Sequence, residues 1–69
     1  MLEVRSVEFD TIYKGETRNV HKSALDQFNE MVAKKEAEGL MIHVISIVPR
    51  EQPYRDRILT FFYYEKERP

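Results

Sequence analysis

Apolar side chains gather in four stretches of the chain, and their spacing changes from one stretch to the next. From Met1 to about Phe9, the residues Val4, Val7 and Phe9 favour extended backbone and predict a strand. Its alternation is imperfect, because Leu2 and Val4 share one face while Val7 and Phe9 share the other. Either a bulge lies near Ser6 or both faces are partly covered. Asp10 to Arg18 holds the turn signal Lys14-Gly15-Glu16 and reads as a loop, after an extension of the strand through Ile12 and Tyr13. Next, Val20, Ala24, Leu25, Phe28, Met31 and Val32 recur at helical spacing as one stripe. Lys22, Asp26, Gln27, Asn29, Glu30, Lys34 and Glu38 form the opposite face, with Glu30 placed to pair with Lys34. Thr17 or Asn19 caps this helix, or Ser23 with Asp26 starts it one turn later through a capping box. Gly39 suits the left-handed residue that ends helices, so the helix spans about 18 to 20 residues, roughly 29 Å.

The last two stretches are strands. Leu40 to Val48 is an almost continuous apolar run that Pro49 ends, and Arg57 to Tyr64 reads Arg-Ile-Leu-Thr-Phe-Phe-Tyr-Tyr. Pro49 to Arg55 is the polar loop between them, and Glu65 to Pro69 is a charged tail expected to fray. The whole chain, residues 1–69, reads as a single small α+β domain of order β-α-β-β. A helix returns the chain between the first two strands, so those run the same way, and the third runs opposite to both. Placing the third strand in the middle makes every pairing antiparallel, giving a three-stranded sheet of order 1-3-2 with one helix packed on one face.

Both long strands are apolar on both faces, whereas a solvated sheet face should alternate apolar with polar. One helix covers one face. Ser6, Ser46 and Thr60, with Ile42, Val44, Ile58 and Phe62, form the face expected under the helix, since small residues leave room for Phe28 and Met31. The other face, with Phe9, Ile45, Ile47, Leu59, Phe61 and Tyr63 rimmed by Arg5, His43 and Arg57, is the expected interface of a homo-oligomer, with a flap of the 10–18 loop over a monomer's sheet, or a ligand, as the alternative covers. Burying those six side chains contributes on the order of 10 kcal/mol before the costs of association.

Composition sharpens this picture by exclusion. The chain has 69 residues with 42% hydrophobic and 33% charged, a folded rather than disordered balance. A domain this small needs a staple, and with no cysteine and only two histidines, far apart, neither a disulfide nor a metal supplies it. Oligomerisation is what remains. No apolar run is long enough to cross a membrane and no apolar leader segment opens the chain, so a cytoplasmic setting is expected. The net charge of −1 makes nucleic acid an unlikely partner.

The strongest candidate binding segment is the polar loop. Arg50, Tyr54, Arg55 and Arg57 fall within eight residues, next to Pro49 and Pro53. Arginine forks suit phosphates and carboxylates, tyrosine stacks on a flat ring, and the prolines restrain the backbone. The competing expectation is a solvated hairpin whose arginines pair with Glu51, Asp56 and other acids. No catalytic residues are expected: His43 has no nucleophile or carboxylate at catalytic spacing, His21 is a surface residue, and Lys14-Gly15-Glu16 lacks phosphate-loop spacing. Phe61-Phe62-Tyr63-Tyr64 resembles an RNA-stacking platform but reads first as core and interface.

The β-α-β-β order and the length resemble dodecins, in topology only: the flavin-stacking tryptophan of that family has no counterpart here, so no cofactor is implied. Val7-Glu8-Phe9-Asp10, Leu25-Asp26-Gln27-Phe28-Asn29, Ile42-His43-Val44 and Leu59-Thr60-Phe61-Phe62-Tyr63-Tyr64 together resemble small sporulation-associated and phage-borne proteins of bacilli. That resemblance implies an accessory, inhibitor-like setting and no enzyme chemistry. The expected function is therefore a non-enzymatic homo-oligomeric binder of another protein. Sequestration of a small anion such as a nucleotide between subunits is the alternative, and RNA binding a weaker one.

Overall fold

The computed structural model describes residues 3–14, 19–50 and 57–69. Its elements are β1 (Arg5–Asp10), β2 (Ile12–Lys14), β3 (Asn19–Lys22), α1 (Ala24–Ala37), β4 (Leu40–Pro49) and β5 (Ile58–Glu67). With five strands in place of three, the main sheet has the order β1-β5-β4, and both of its pairings are antiparallel. The last strand is the central one. The two additional short strands, β2 and β3, form a separate antiparallel hairpin where the sequence suggested a loop and the first helical turn.

The helix is 14 residues long, about 21 Å rather than 29 Å. It starts at the later of the two caps. Ser23 Oγ accepts from the Asp26 amide at 3.0 Å and Asp26 Oδ2 accepts from the Ser23 amide at 3.4 Å, completing a capping box. Val20 and Lys22 belong to β3 instead, where a β-branched residue is at home. At the other end Gly39 adopts φ 93°, the left-handed conformation expected there. Glu30 bonds Lys22 of β3 at 2.8 Å, not Lys34, which ties the hairpin to the helix.

Buried Thr11 joins the hairpin to the sheet. Its amide donates to the Arg57 carbonyl at 2.7 Å, and its Oγ1 accepts from the Ala24 amide at 3.2 Å. Gln27 Nε2 adds a 2.6 Å bond to the Asp10 carbonyl. The start of β2 and the end of β3 thus lie close together, both tied to α1.

The core reverses the expected choice of face. Phe28 of α1 lies flat on Phe61, with centroids 4.0 Å apart and planes 1° from parallel. Tyr63 and Phe9 meet this pair edge-on at 6.0 Å and 6.3 Å, a favourable arrangement of ring quadrupoles. Val7, Leu59, Ile42, Met31 and Val32 complete the cluster. So Phe9, Leu59, Phe61 and Tyr63, expected at an oligomer interface, are core under the helix. The large aromatic rings offer the helix more area to bury than Ser6, Ser46 and Thr60, whose hydroxyls stay on the uncovered face.

β5 also outruns its predicted end. It extends through Glu67, and the expected frayed tail is tied down: the Arg68 amide donates to the Gly39 carbonyl at 2.9 Å. Glu65 is nearly covered by Lys35 of α1 and Arg5 of β1. The hydrogen bond from Lys35 is the main reason the Glu65 carboxyl is held below the usual carboxylate range and the Lys35 ammonium above the usual lysine range. No helix among the described residues is long and apolar enough to cross a membrane.

Candidate interaction site

Among the described residues β4 is paired on one side only, by β5, and its second half is bare. Val44, Ile45, Ile47 and Val48 are each about half exposed, between 46% and 51%. A register shift between Val44 and Ser46 explains how this happens. Val44 lies opposite Tyr63 and Ser46 opposite Phe62, which face opposite sides of the sheet, so Ile45 is the extra residue of a bulge. Beyond it, Ile47 lies opposite Phe61 and Val48 opposite Thr60. The bulge therefore moves Ile47 to the helix side and Val48 to the far side. The helix packs on β1, β5 and the first half of β4, where Ile42 joins the core, and leaves Ile47 uncovered: Phe61 is 0% exposed while Ile47, its partner across the ladder, is 46% exposed.

Of the six residues expected at an interface, Ile45 and Ile47 remain available and the other four do not. Val44 and Val48 join them, and sequence reasoning missed both. A one-residue bulge inside Val-Ile-Ser-Ile-Val leaves no trace in the hydrophobic pattern.

The uncovered sheet face carries a second feature. His43 lies against Tyr64, with ring centroids 4.9 Å apart and planes 16° from parallel. By register Ser6, Thr60 and Phe62 share this face. No carboxylate or hydroxyl is bonded to His43 in a catalytic arrangement among the described residues.

The arginine segment divides. Tyr54 and Arg55 lie outside the described residues, as do Glu51 and Asp56. Arg57 Nε bonds Asp10 Oδ1 at 2.8 Å and its guanidinium lies 5.8 Å above the Tyr13 ring. Arg50 lies 3.8 Å from Glu8. Both arginines are therefore matched with acids of β1, Glu8 and Asp10, which offset their charge locally. The hairpin adds apolar surface of its own, since Ile12, Tyr13 and Val20 are 41% to 57% exposed. Comparison with protein families, with curated proteins and with solved structures finds no match for this chain.

Proposed function

We propose that this protein works by binding rather than by catalysis, as a self-associating protein-interaction module. The observation that carries the reading is the uncharged, half-exposed aliphatic segment of β4. Exposed apolar patches of this kind mark interaction sites or aggregation hazards. Surface area points the same way. The chain exposes 5563 Å², against roughly 4,600 Å² for a compact monomer of its mass. The Cα radius of gyration of 13.8 Å likewise exceeds the ~11 Å of a compact chain of this length.

The setting this reading fits is an accessory protein whose assembled form engages another protein. The alternative, capture of a nucleotide-like anion by Arg50, Tyr54, Arg55 and Arg57, draws less support, because Arg50 and Arg57 are matched with Glu8 and Asp10. Sedimentation equilibrium at micromolar concentration tests the reading. It predicts a mass of at least twice the 8.3 kDa chain, and a lone 8.3 kDa species over the whole range would overturn it. Nucleotides are expected to leave the melting temperature unchanged, and a shift of several degrees would favour the alternative.

A further inference from the structure

We propose that β4 pairs antiparallel with β4 of a second copy, joining two three-stranded sheets into one of six strands. This rests on the self-association reading and names its seam. The two-fold axis stands perpendicular to the sheet, and the strand order becomes β1-β5-β4-β4-β5-β1.

The first argument is that β4 is bare on both faces at once. By register Val44 and Ile47 belong to the helix side, and Val48 to the far side, with Ile45 at the bulge between them. All four are about half exposed. A partner lying flat on the sheet covers one face. A strand added alongside touches residues on both, because each cross-strand neighbour stands beside its counterpart above and below the pleat. It also satisfies the outward backbone N–H and C=O groups that an edge leaves to solvent.

The second argument concerns which strand fits. β4 reads Leu-Met-Ile-His-Val-Ile-Ser-Ile-Val-Pro and has no Asp, Glu, Lys or Arg in its ten residues. In an isologous contact, residues near the axis meet their own copies, so any charge there meets like charge. An uncharged strand avoids that penalty and is matched to itself.

The geometry has a consequence. An axis perpendicular to the sheet keeps both helices on the same face. They then flank a trough floored by Val44 and Ile47 of both copies, the helix-side residues that α1 leaves bare within one chain. Ser46 and Val48 of both copies line the opposite face of the seam.

The chain has no cysteine, so single cysteines report on the seam directly. Cysteine is placed in turn at Val44, Ile45, Ser46, Ile47 and Val48, with Ser6→Cys on the β1 edge and Thr60→Cys on the open face as comparisons. Mild oxidation of the full chain is followed on non-reducing gels, with mass measured by sedimentation. The seam predicts a dimer in which one or two adjacent β4 positions cross-link at least tenfold faster than Ser6→Cys or Thr60→Cys. The same dimer cross-linking fastest through Thr60→Cys or Ser6→Cys would overturn the seam and leave self-association standing. A monomer throughout would overturn both. As a second readout, the double variant Ile45→Lys with Ile47→Lys is expected to keep its far-ultraviolet circular dichroism and become monomeric. A folded double variant that stays dimeric contradicts the proposal.

Discussion

The sheet has two edges, and they are built differently. β1 is six residues long and carries Arg5, Glu8 and Asp10, each matched with an opposite charge: Glu65 of β5, Arg50 just after β4 and Arg57 just before β5. The helix covers its inner face through Val7 and Phe9. β4 is ten residues long and uncharged, and it is uncovered over its second half. Short length and charge are how proteins prevent strands from recruiting others. β1 has both. β4 has only the bulge at Ile45 and Pro49 at its end. One edge of this sheet carries the features that deter strand pairing and the other lacks most of them, within 69 residues that share one central strand.

The largest test of this contrast compares Phe61 with Ile47, opposite each other across the β5–β4 ladder. Phe61→Ala removes the ring stacked on Phe28 and should cost about 3 to 5 kcal/mol. The total stability expected of a chain this size is only about 3 to 10 kcal/mol, so chemical denaturation should find the variant largely unfolded or close to it. Ile47→Ala should cost the isolated chain under about 1 kcal/mol, because a half-exposed side chain leaves little cavity. Its effect should appear as weaker association. Equal losses at the two positions would contradict the assignment of covered and bare halves.

A second test removes the cap at the start of α1. Ser23→Ala loses the oxygen that accepts from the Asp26 amide and should cost about 1 kcal/mol, read as a lower denaturation midpoint at unchanged slope. The self-association constant should follow only through the loss of folded chain.

pH probes the ties on the covered side. Because the Glu65 carboxyl is held below its unfolded value, its contribution is present above the ordinary carboxylate range and lost as pH falls through the lowered folded value. The raised Lys35 contributes below the ordinary lysine range and loses its effect as pH rises through the raised folded value. Stability should therefore decline at both extremes, and Lys35→Met should flatten both limbs in pH-dependent thermal melts. A variant whose acid limb matches the parent would remove Glu65 and Lys35 from the account.

The smallest effect is expected at Arg50. Its pairing with Glu8 is long and exposed, so Arg50→Ala should change stability by less than about 1 kcal/mol in thermal melts at low salt. If the variant instead began to associate through β1, the charge at that edge would be shown to be its barrier.

How much of this could be read from the sequence varies with the physics of each element. The helix was legible in Ala24, Phe28, Met31 and Val32, whose spacing matches the buried stripe, and its ends in Ser23, Asp26 and Gly39. The hairpin was less so. Tyr13 and Val20 face each other in strands of three and four residues, too short for a clear alternation, although Ile12 and Tyr13 already suggested extended backbone. The choice of face was not legible. Ile58-Leu59-Thr60-Phe61-Phe62-Tyr63-Tyr64 is apolar on both parities, so period-two reasoning has nothing to select with. At β4 the bulge changes parity halfway along, which separates Ile42 and Val44 from Ser46 and Val48 where strict alternation puts them together. Apolar strand surface does stay exposed, at Val44, Ile45, Ile47 and Val48. It lies at the β4 edge rather than across the expected sheet face.

Backbone amide hydrogen exchange, measured at two protein concentrations, compares the two edges most directly. The account predicts that amides of Val44 to Val48 exchange fast in dilute solution and gain protection as concentration rises. Those of Arg5 to Asp10 should exchange at the same rates in both. Protection at β4 that does not change with concentration, or a gain at β1 equal to that at β4, would contradict an open β4 edge closed by a second copy.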